Sequence, residues 1–187
     1  EEKDLADKNI FLQQAKNVEL LEGIPTSSLE GYLFPDTYHF GKRTTEAAII
    51  NKMVKTFKER VLKQEFLKRA EDLGFSYHEI ITLASLIEKE TGKDSERKQI
   101  SSVFHNRLKK NMLLQTDPTV IYAIDIFDGN IRKRDLNIDS PYNTYRYKGL
   151  PPGPIANPGL KSIIAALYPA TTSNLYFVSK QDGSHKF

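Results

Sequence analysis

Ser76-Tyr77-His78-Glu79-Ile80-Ile81-Thr82-Leu83-Ala84-Ser85-Leu86-Ile87-Glu88-Lys89-Glu90-Thr91-Gly92 decides how the chain folds. Ser76 and Glu79 have the Ser-x-x-Glu spacing of a capping box, so a helix starts there, and Gly92 is a plausible stop. At about 100° per residue, the apolar face centres on Tyr77, Ile80, Ala84 and Ile87. His78, Thr82, Ser85 and Lys89 form the polar face. Glu88 falls inside the apolar face, one turn beyond Ala84, and Glu90 lies near its other edge, beside Leu83 and Leu86. A carboxylate on a buried face tends to keep its proton at neutral pH, because desolvation penalises the charged form. A general acid requires that property. A Glu at the margin of a core helix can also simply reach solvent or pair with a Lys or Arg, so the rest of the chain must arbitrate.

Working outward, Asp94 or Ser95 is expected to cap a following helix that carries Ile100, Val103, Phe104 and Leu108 on one face. Asp117-Pro118 reads as N-cap and first helical residue of a short helix running to about Ile124. Phe127 to Ile131, with Asp128-Gly129-Asn130 at its centre, reads as a hairpin turn between short strands. Upstream, Thr45 to about Leu73 is helical, ended by Gly74, with a break near Lys63-Gln64. Residues 29–38 form an aromatic segment punctuated by Gly31 and Pro35, expected as loop or extended chain. Residues 1–24 are a charged, loosely amphipathic lead-in. Downstream, Leu160 to Tyr168 is a helix stopped by Pro169. Leu175 to Val178 is a strand, and Gln181 to Ser184 turns into a last strand at His185-Lys186-Phe187.

Residues 140–159, Ser-Pro-Tyr-Asn-Thr-Tyr-Arg-Tyr-Lys-Gly-Leu-Pro-Pro-Gly-Pro-Ile-Ala-Asn-Pro-Gly, cannot make a core. Three tyrosines among the prolines fit a rigid loop lining a groove better than a linker. The expected architecture is therefore α+β: a helix-rich catalytic domain with short antiparallel strands and a long Pro/Gly-rich loop lining a cleft.

Composition narrows the chemistry. The 187 residues carry a net charge of +3 and no Cys, which excludes a thiol nucleophile, disulfides and Cys-ligated zinc. The mild basicity, densest at Arg132-Lys133-Arg134, is too small a stripe for a nucleic-acid footprint. No Walker or Rossmann glycine loop is present, and no Gly-x-Ser-x-Gly elbow surrounds Ser85 or Ser140. The four histidines are scattered, so no metal site is expected. No apolar stretch is long enough to span a membrane. The chain starts at Glu1 without a signal peptide and is read as a fragment. What remains is an acid on a helix face and a loop of Tyr, Asn, Thr and Pro, the side-chain chemistry that holds sugar rings and hydroxyls.

Ala84-Ser85-Leu86-Ile87-Glu88-Lys89-Glu90-Thr91 resembles the signature of the MltG/YceG-like endolytic murein transglycosylase family. So do Ser102-Val103-Phe104 with Asn106-Arg107-Leu108, and Leu114-Gln115-Thr116-Asp117-Pro118-Thr119-Val120-Ile121-Tyr122. Residues 29–38, 140–145 and 149–159 extend the likeness, in family order, over about residues 29–187. His105 departs from it, standing where a hydrophobic or aromatic residue is expected. The resemblance implies a YceG-like catalytic domain over 25–187, with 1–24 the tail of a LysM-like subdomain. It also implies a bacterial extracytoplasmic enzyme, tethered to the cell membrane by an N-terminal helix absent from this sequence. Penicillin-binding proteins or other peptidoglycan synthases are possible partners. The implied reaction cuts the MurNAc–GlcNAc β-1,4 bond of nascent peptidoglycan and leaves a 1,6-anhydro-MurNAc end, with no cofactor.

The family's catalytic acid is placed by motif at Glu88, which would act first as acid and then as base, with Glu90 as a secondary acid. Gln115, Asp117, Ser140, Tyr142, Asn143, Tyr145 and Asn157 are candidate substrate-binding residues. Each has a plainer use: Asp117 as a cap, Gln115 as a buried amide, Tyr142 and Tyr145 as packing, Asn157 as a turn residue and Glu90 as a salt-bridge partner. Glu30 and Asp36 lie in a family motif without an assignable role. The alternative function is a non-catalytic glycan-binding or scaffold module of the cell-wall synthesis machinery.

Overall fold

A computed structural model describes residues 6–180 and 184–187. Its elements are α1 (Lys8–Gln14), a 3-10 turn (Val18–Leu21), α2 (Glu46–Val61), α3 (Gln64–Asp72), α4 (Tyr77–Glu90), α5 (Arg97–Lys109) and α6 (Asp117–Ala123). A second 3-10 turn (Asp135–Asn137), α7 (Leu160–Leu167), β1 (Val178–Ser179) and β2 (His185–Lys186) complete the chain. The architecture is helix-rich α+β, and β1 and β2 form an antiparallel pair with Val178 opposite Lys186 and Ser179 opposite His185. Of the turn expected at Gln181 to Ser184, residues 181–183 lie outside the described residues.

The quoted stretch is α4, the central helix. Its capping box is formed: Ser76 Oγ accepts from Glu79 N (3.2 Å), and Glu79 Oε2 accepts from Ser76 N (2.7 Å). Every residue from Ile80 to Ile87 is buried, because α3, α5, α6 and α7 surround the helix. The expected polar face is therefore corrected at Thr82 and Ser85. Thr82 Oγ1 donates to His78 O, and Ser85 Oγ donates to Thr82 O while accepting from Ile155 N (3.0 Å). Hydroxyls satisfied in this way can be buried at little cost.

Several local expectations shift. The break near Lys63 separates α2 from α3. Neither Asp94 nor Ser95 caps α5; Glu96 holds that position, and the Asp94 carboxylate is drawn away to Lys161. Thr116, not Asp117, is the N-cap of α6, so Asp117 is its first helical residue. Residues 127–131 form no strands. Asp128 instead accepts from Asn130 N (3.1 Å) and binds Arg132, closing a local turn whose neighbours find no sheet to join. His105 occupies its aromatic-type position by packing edge-on against Phe75 and directing Nε2 at Ala166 O (2.8 Å). Burial lowers its pKa, which keeps the ring neutral in that setting.

The segment around residue 31 joins the core: Leu29, Tyr32, Leu33 and Phe34 are all buried. Asn157 Oδ1 accepts from Gly31 N (2.8 Å) and Leu33 N (3.1 Å), tying this segment to the Pro/Gly loop. α1 packs on α2. No helix among the described residues is long and apolar enough to cross a membrane.

Candidate functional site

The two carboxylates at the end of α4 stand two residues apart, about 200° around the helix, and so meet different surroundings. Glu90 faces α6. Its Oε2 accepts from Thr116 Oγ1 (3.0 Å). Thr116 is fixed in turn by the 140–145 segment, because Thr144 Oγ1 accepts from Thr116 N (3.1 Å) and Thr144 O accepts from Gln115 N (3.1 Å). Gln115 has φ +49°, a left-handed conformation that turns the chain sharply into α6. Beside it, the Tyr145 hydroxyl donates to Asp117 Oδ1.

Glu90, Gln115, Asp117, Tyr145, Arg107 and His185 share a cavity of about 230 Å³, with Leu114, Phe177 and Ser179 completing its wall. Burial pushes the Glu90 carboxyl up to about 7, and the nearby Asp117 charge adds to the rise; the Thr116 hydrogen bond and His185 oppose it. Burial, then the bond to Asp117, raises the Tyr145 phenol above its ordinary range, so it stays a donor. Arg107 is spent on structure: it donates to the carbonyls of Leu114 (2.9 Å) and Leu175 (2.6 Å) and lies over the Tyr176 ring. His185 is held by Glu96, whose Oε2 is 2.8 Å from Nδ1 and whose Oε1 accepts from His185 N (3.1 Å). Burial would raise the Glu96 pKa, but the His185 and Thr91 hydrogen bonds outweigh it and leave the pKa lowered.

The folded chain holds the Glu90 proton more tightly than the unfolded chain, since the carboxyl moves from an ordinary 4.5 to about 7. That contribution to stability is complete below the unfolded value and is lost as pH rises through the folded one, a change of roughly 3 kcal/mol. Glu90→Gln is neutral at every pH. In denaturant unfolding it should match the parent near pH 4 and exceed its stability by roughly 3 kcal/mol near pH 8. Equal stability at both would mean that Glu90 ionises freely.

Glu88 faces α7 instead and does not line that cavity. Its Oε2 accepts from Ser162 Oγ (2.5 Å) and Gly159 N (3.2 Å), at the start of α7. Its Oε1 lies 3.8 Å from Arg97, which is anchored on Thr91 O (2.9 Å) and Asp94. The side chain is 30 % exposed rather than enclosed by the apolar face. Both carboxylate oxygens are thus engaged, one by the start of α7 and the other by Arg97. Glu88 thus ties the end of α4 to the start of α7. Glu88→Ala should therefore lower stability by about 2 kcal/mol, read as a fall in melting temperature, while leaving any turnover intact. Lost turnover at unchanged stability would mark Glu88 as the acid.

The remaining candidates separate. Tyr142 packs on Tyr122 (4.7 Å between ring centres) and lines a second cavity with Glu30, His78 and Pro152. Ser140 Oγ accepts from Tyr142 N (3.3 Å). Asn143 is fully buried: it donates to Leu136 O and Ile138 O and accepts from Tyr145 N (2.9 Å), so it braces the loop behind Tyr145. Asn157 pins Gly31 and Leu33, as described above. The structure thus brings Glu90, Gln115, Asp117 and Tyr145 together and places Glu88, Ser140, Asn143 and Asn157 in supporting contacts. Sequence reasoning missed Arg107 and His185 in this cavity, and Thr116 and Glu96, which hold Glu90 and His185 from behind it. Only the clustering of Arg107 and Thr116 within quoted motifs hinted at two of them. Among the described residues, no group of three or more His, Asp or Glu side chains is placed to hold a metal ion.

Among protein families, the chain matches the YceG-like family over residues 2–187. The endolytic murein transglycosylase of Bacillus subtilis (strain 168) is 46 % identical over 167 residues, covering 85 % of this chain and 44 % of that protein. That of Streptococcus pneumoniae serotype 2 is 37 % identical over 182 residues, covering 90 % of this chain and 33 % of that protein. A crystal structure of a yceG-like protein from Listeria monocytogenes aligns with a TM-score of 0.76 at 39 % identity, over 95 % of this chain and 60 % of that one. The chain spans less than half the length of these two curated relatives.

Proposed function

The chain belongs to the YceG-like family, and from that premise we propose that it is the catalytic part of an endolytic peptidoglycan lytic transglycosylase. The reaction cuts the MurNAc–GlcNAc β-1,4 bond within a strand and leaves a 1,6-anhydro-MurNAc end. The proposed acid is Glu90 rather than Glu88. The observation that carries this choice is the Glu90 carboxyl, held near neutrality at about 7 in a cavity that also contains Asp117, Gln115 and Tyr145.

A carboxyl with that pKa can give its proton to the leaving O4 at neutral pH. The sugar's own C6 hydroxyl attacks C1, and its proton is taken up within the site, so no water enters the product. Asp117, oriented by the Tyr145 hydrogen bond, is suited to ease the positive charge that develops at C1. Gln115 and Tyr145 offer an amide and an aromatic face to the glycan. Attachment to the cell membrane with the site on its outer side, peptidoglycan synthases as partners, and a division of the chain near residue 24 belong to the same proposal.

The test is digestion of purified peptidoglycan strands with mass spectrometry of the new ends. Anhydro ends inside the strand are expected. Ends carrying added water would make the protein a hydrolase with Asp117 as its second carboxylate. Binding without cleavage would favour the scaffold reading.

A further inference from the structure

We propose that His185, oriented by Glu96, is the base that accepts the C6-hydroxyl proton in this site; the inference rests on the transglycosylase reading above. His185 comes from β2, far along the chain from α4, yet lines the same cavity as Glu90 and Asp117. Its Nδ1 lies 2.8 Å from Glu96 Oε2, and Glu96 grips the same residue's backbone N–H through Oε1. A carboxylate accepts only, so the neutral ring must carry its proton on Nδ1, which leaves Nε2 as a lone-pair acceptor. Nε2 makes no hydrogen bond with the described residues. The ring is set in place by an edge-on contact with Phe177 (5.1 Å).

Glu96 is itself fixed. It is the N-cap of α5, and it accepts from Thr91 Oγ1 (3.2 Å), the residue that follows Glu90 at the end of α4. One short segment thus holds the acid directly and the imidazole through Glu96. The arrangement is that of an activated base: an imidazole in a cavity wall, with one nitrogen held by a carboxylate.

The proton count closes. Glu90 gives a proton to O4 as the C1–O4 bond breaks. O6 bonds to C1 and loses its proton to His185 Nε2. The imidazolium then returns that proton to the Glu90 carboxylate, and both groups are reset. Glu90 acts on the substrate only as the acid, and His185 carries the C6-hydroxyl proton back to it. His185 is the catalytic residue here; Glu96 is a positioning residue.

His185→Asn tests this. Asn keeps a donor near the position of Nδ1, so the tie to Glu96 and the β1–β2 pair survive while Nε2 is lost. The expected result is a fall in kcat of about 10²-fold or more, with KM and melting temperature little changed. Imidazole added to His185→Ala should recover part of the rate. Glu96→Gln should slow turnover as well, without recovery by imidazole. Full kcat in His185→Asn would overturn the proposal, as would a loss that tracks melting temperature and ignores imidazole. In both cases parent digests would still show anhydro ends and the transglycosylase reading would stand. Hydrated ends from the parent would remove that reading and this inference together.

Discussion

Glu90→Gln should abolish the release of 1,6-anhydro ends from peptidoglycan, with a loss of at least about 10²–10⁴-fold, while Glu88→Gln retains turnover. Gln fills the space of Glu and can still accept from Thr116 Oγ1, so the α4–α6 contact persists and the lost group is the proton itself. Glu88→Gln likewise keeps an acceptor for Ser162 and Gly159, and changes a side chain outside the cavity. The comparison separates two carboxylates that lie one residue either side of Lys89. Mass spectrometry of ends released by the two variants measures it directly. Retained cleavage in Glu90→Gln together with loss in Glu88→Gln would return the acid to the α7 side of the helix. The pH-dependent stability gain expected of Glu90→Gln gives an independent reading of the same site. A carboxyl whose burial favours the protonated form strains the fold at high pH, where it ionises, and removing its charge relieves that strain.

Gly31→Ala should produce the largest loss of stability of any glycine-to-alanine change among the described residues. Gly31 has φ +90°, where a side chain costs about 1–2 kcal/mol in backbone strain. A Cβ there would lie 2.7 Å from Pro154 Cβ, closer still to Pro154 Cγ, and 3.1 Å from Ile81 Cγ2. The proline ring has little freedom to move aside. Its neighbour Ile155 is hydrogen-bonded to Ser85 in the central helix, and Asn157 holds Gly31 from the same loop. Overpacking of this kind adds about 1–3 kcal/mol. The combined effect, about 2–5 kcal/mol, should lower the melting temperature by roughly 10 °C in a domain of this size. A melting temperature equal to the parent's would mean that the Pro/Gly loop does not press on residue 31.

Helix α4 was legible because its signals are local. The capping box and the apolar run act within a few residues, and both appear in the structure as the spacing implied. The same holds for α7 ahead of Pro169, for the break that separates α2 from α3, and for the last strand at His185-Lys186, whereas the strand expected at Leu175 to Val178 begins only at Val178. Asp128-Gly129-Asn130 misled because a hairpin needs strands with something to pair against. Here the Asp128 carboxylate satisfied the turn without them. The polar face expected of α4 failed for a related reason. Thr82 and Ser85 close their hydroxyls onto the helix backbone, so a period based on side-chain polarity treated buried residues as exposed.

The sequence by itself determined a helix-rich α+β chain built on α4, the family resemblance, and a pair of carboxylates at that helix's end. Tertiary structure decided which carboxylate faces a cavity and which anchors a helix. That choice depends on what surrounds the last turn of α4: Gly159 and Ser162 on one side, Thr116, Asp117 and His185 on the other. A carboxyl's pKa is set by the donors, charges and solvent around it. Those groups come from segments far apart in the chain, so helical periodicity can place the side chain on a face without revealing the partners that fix its proton.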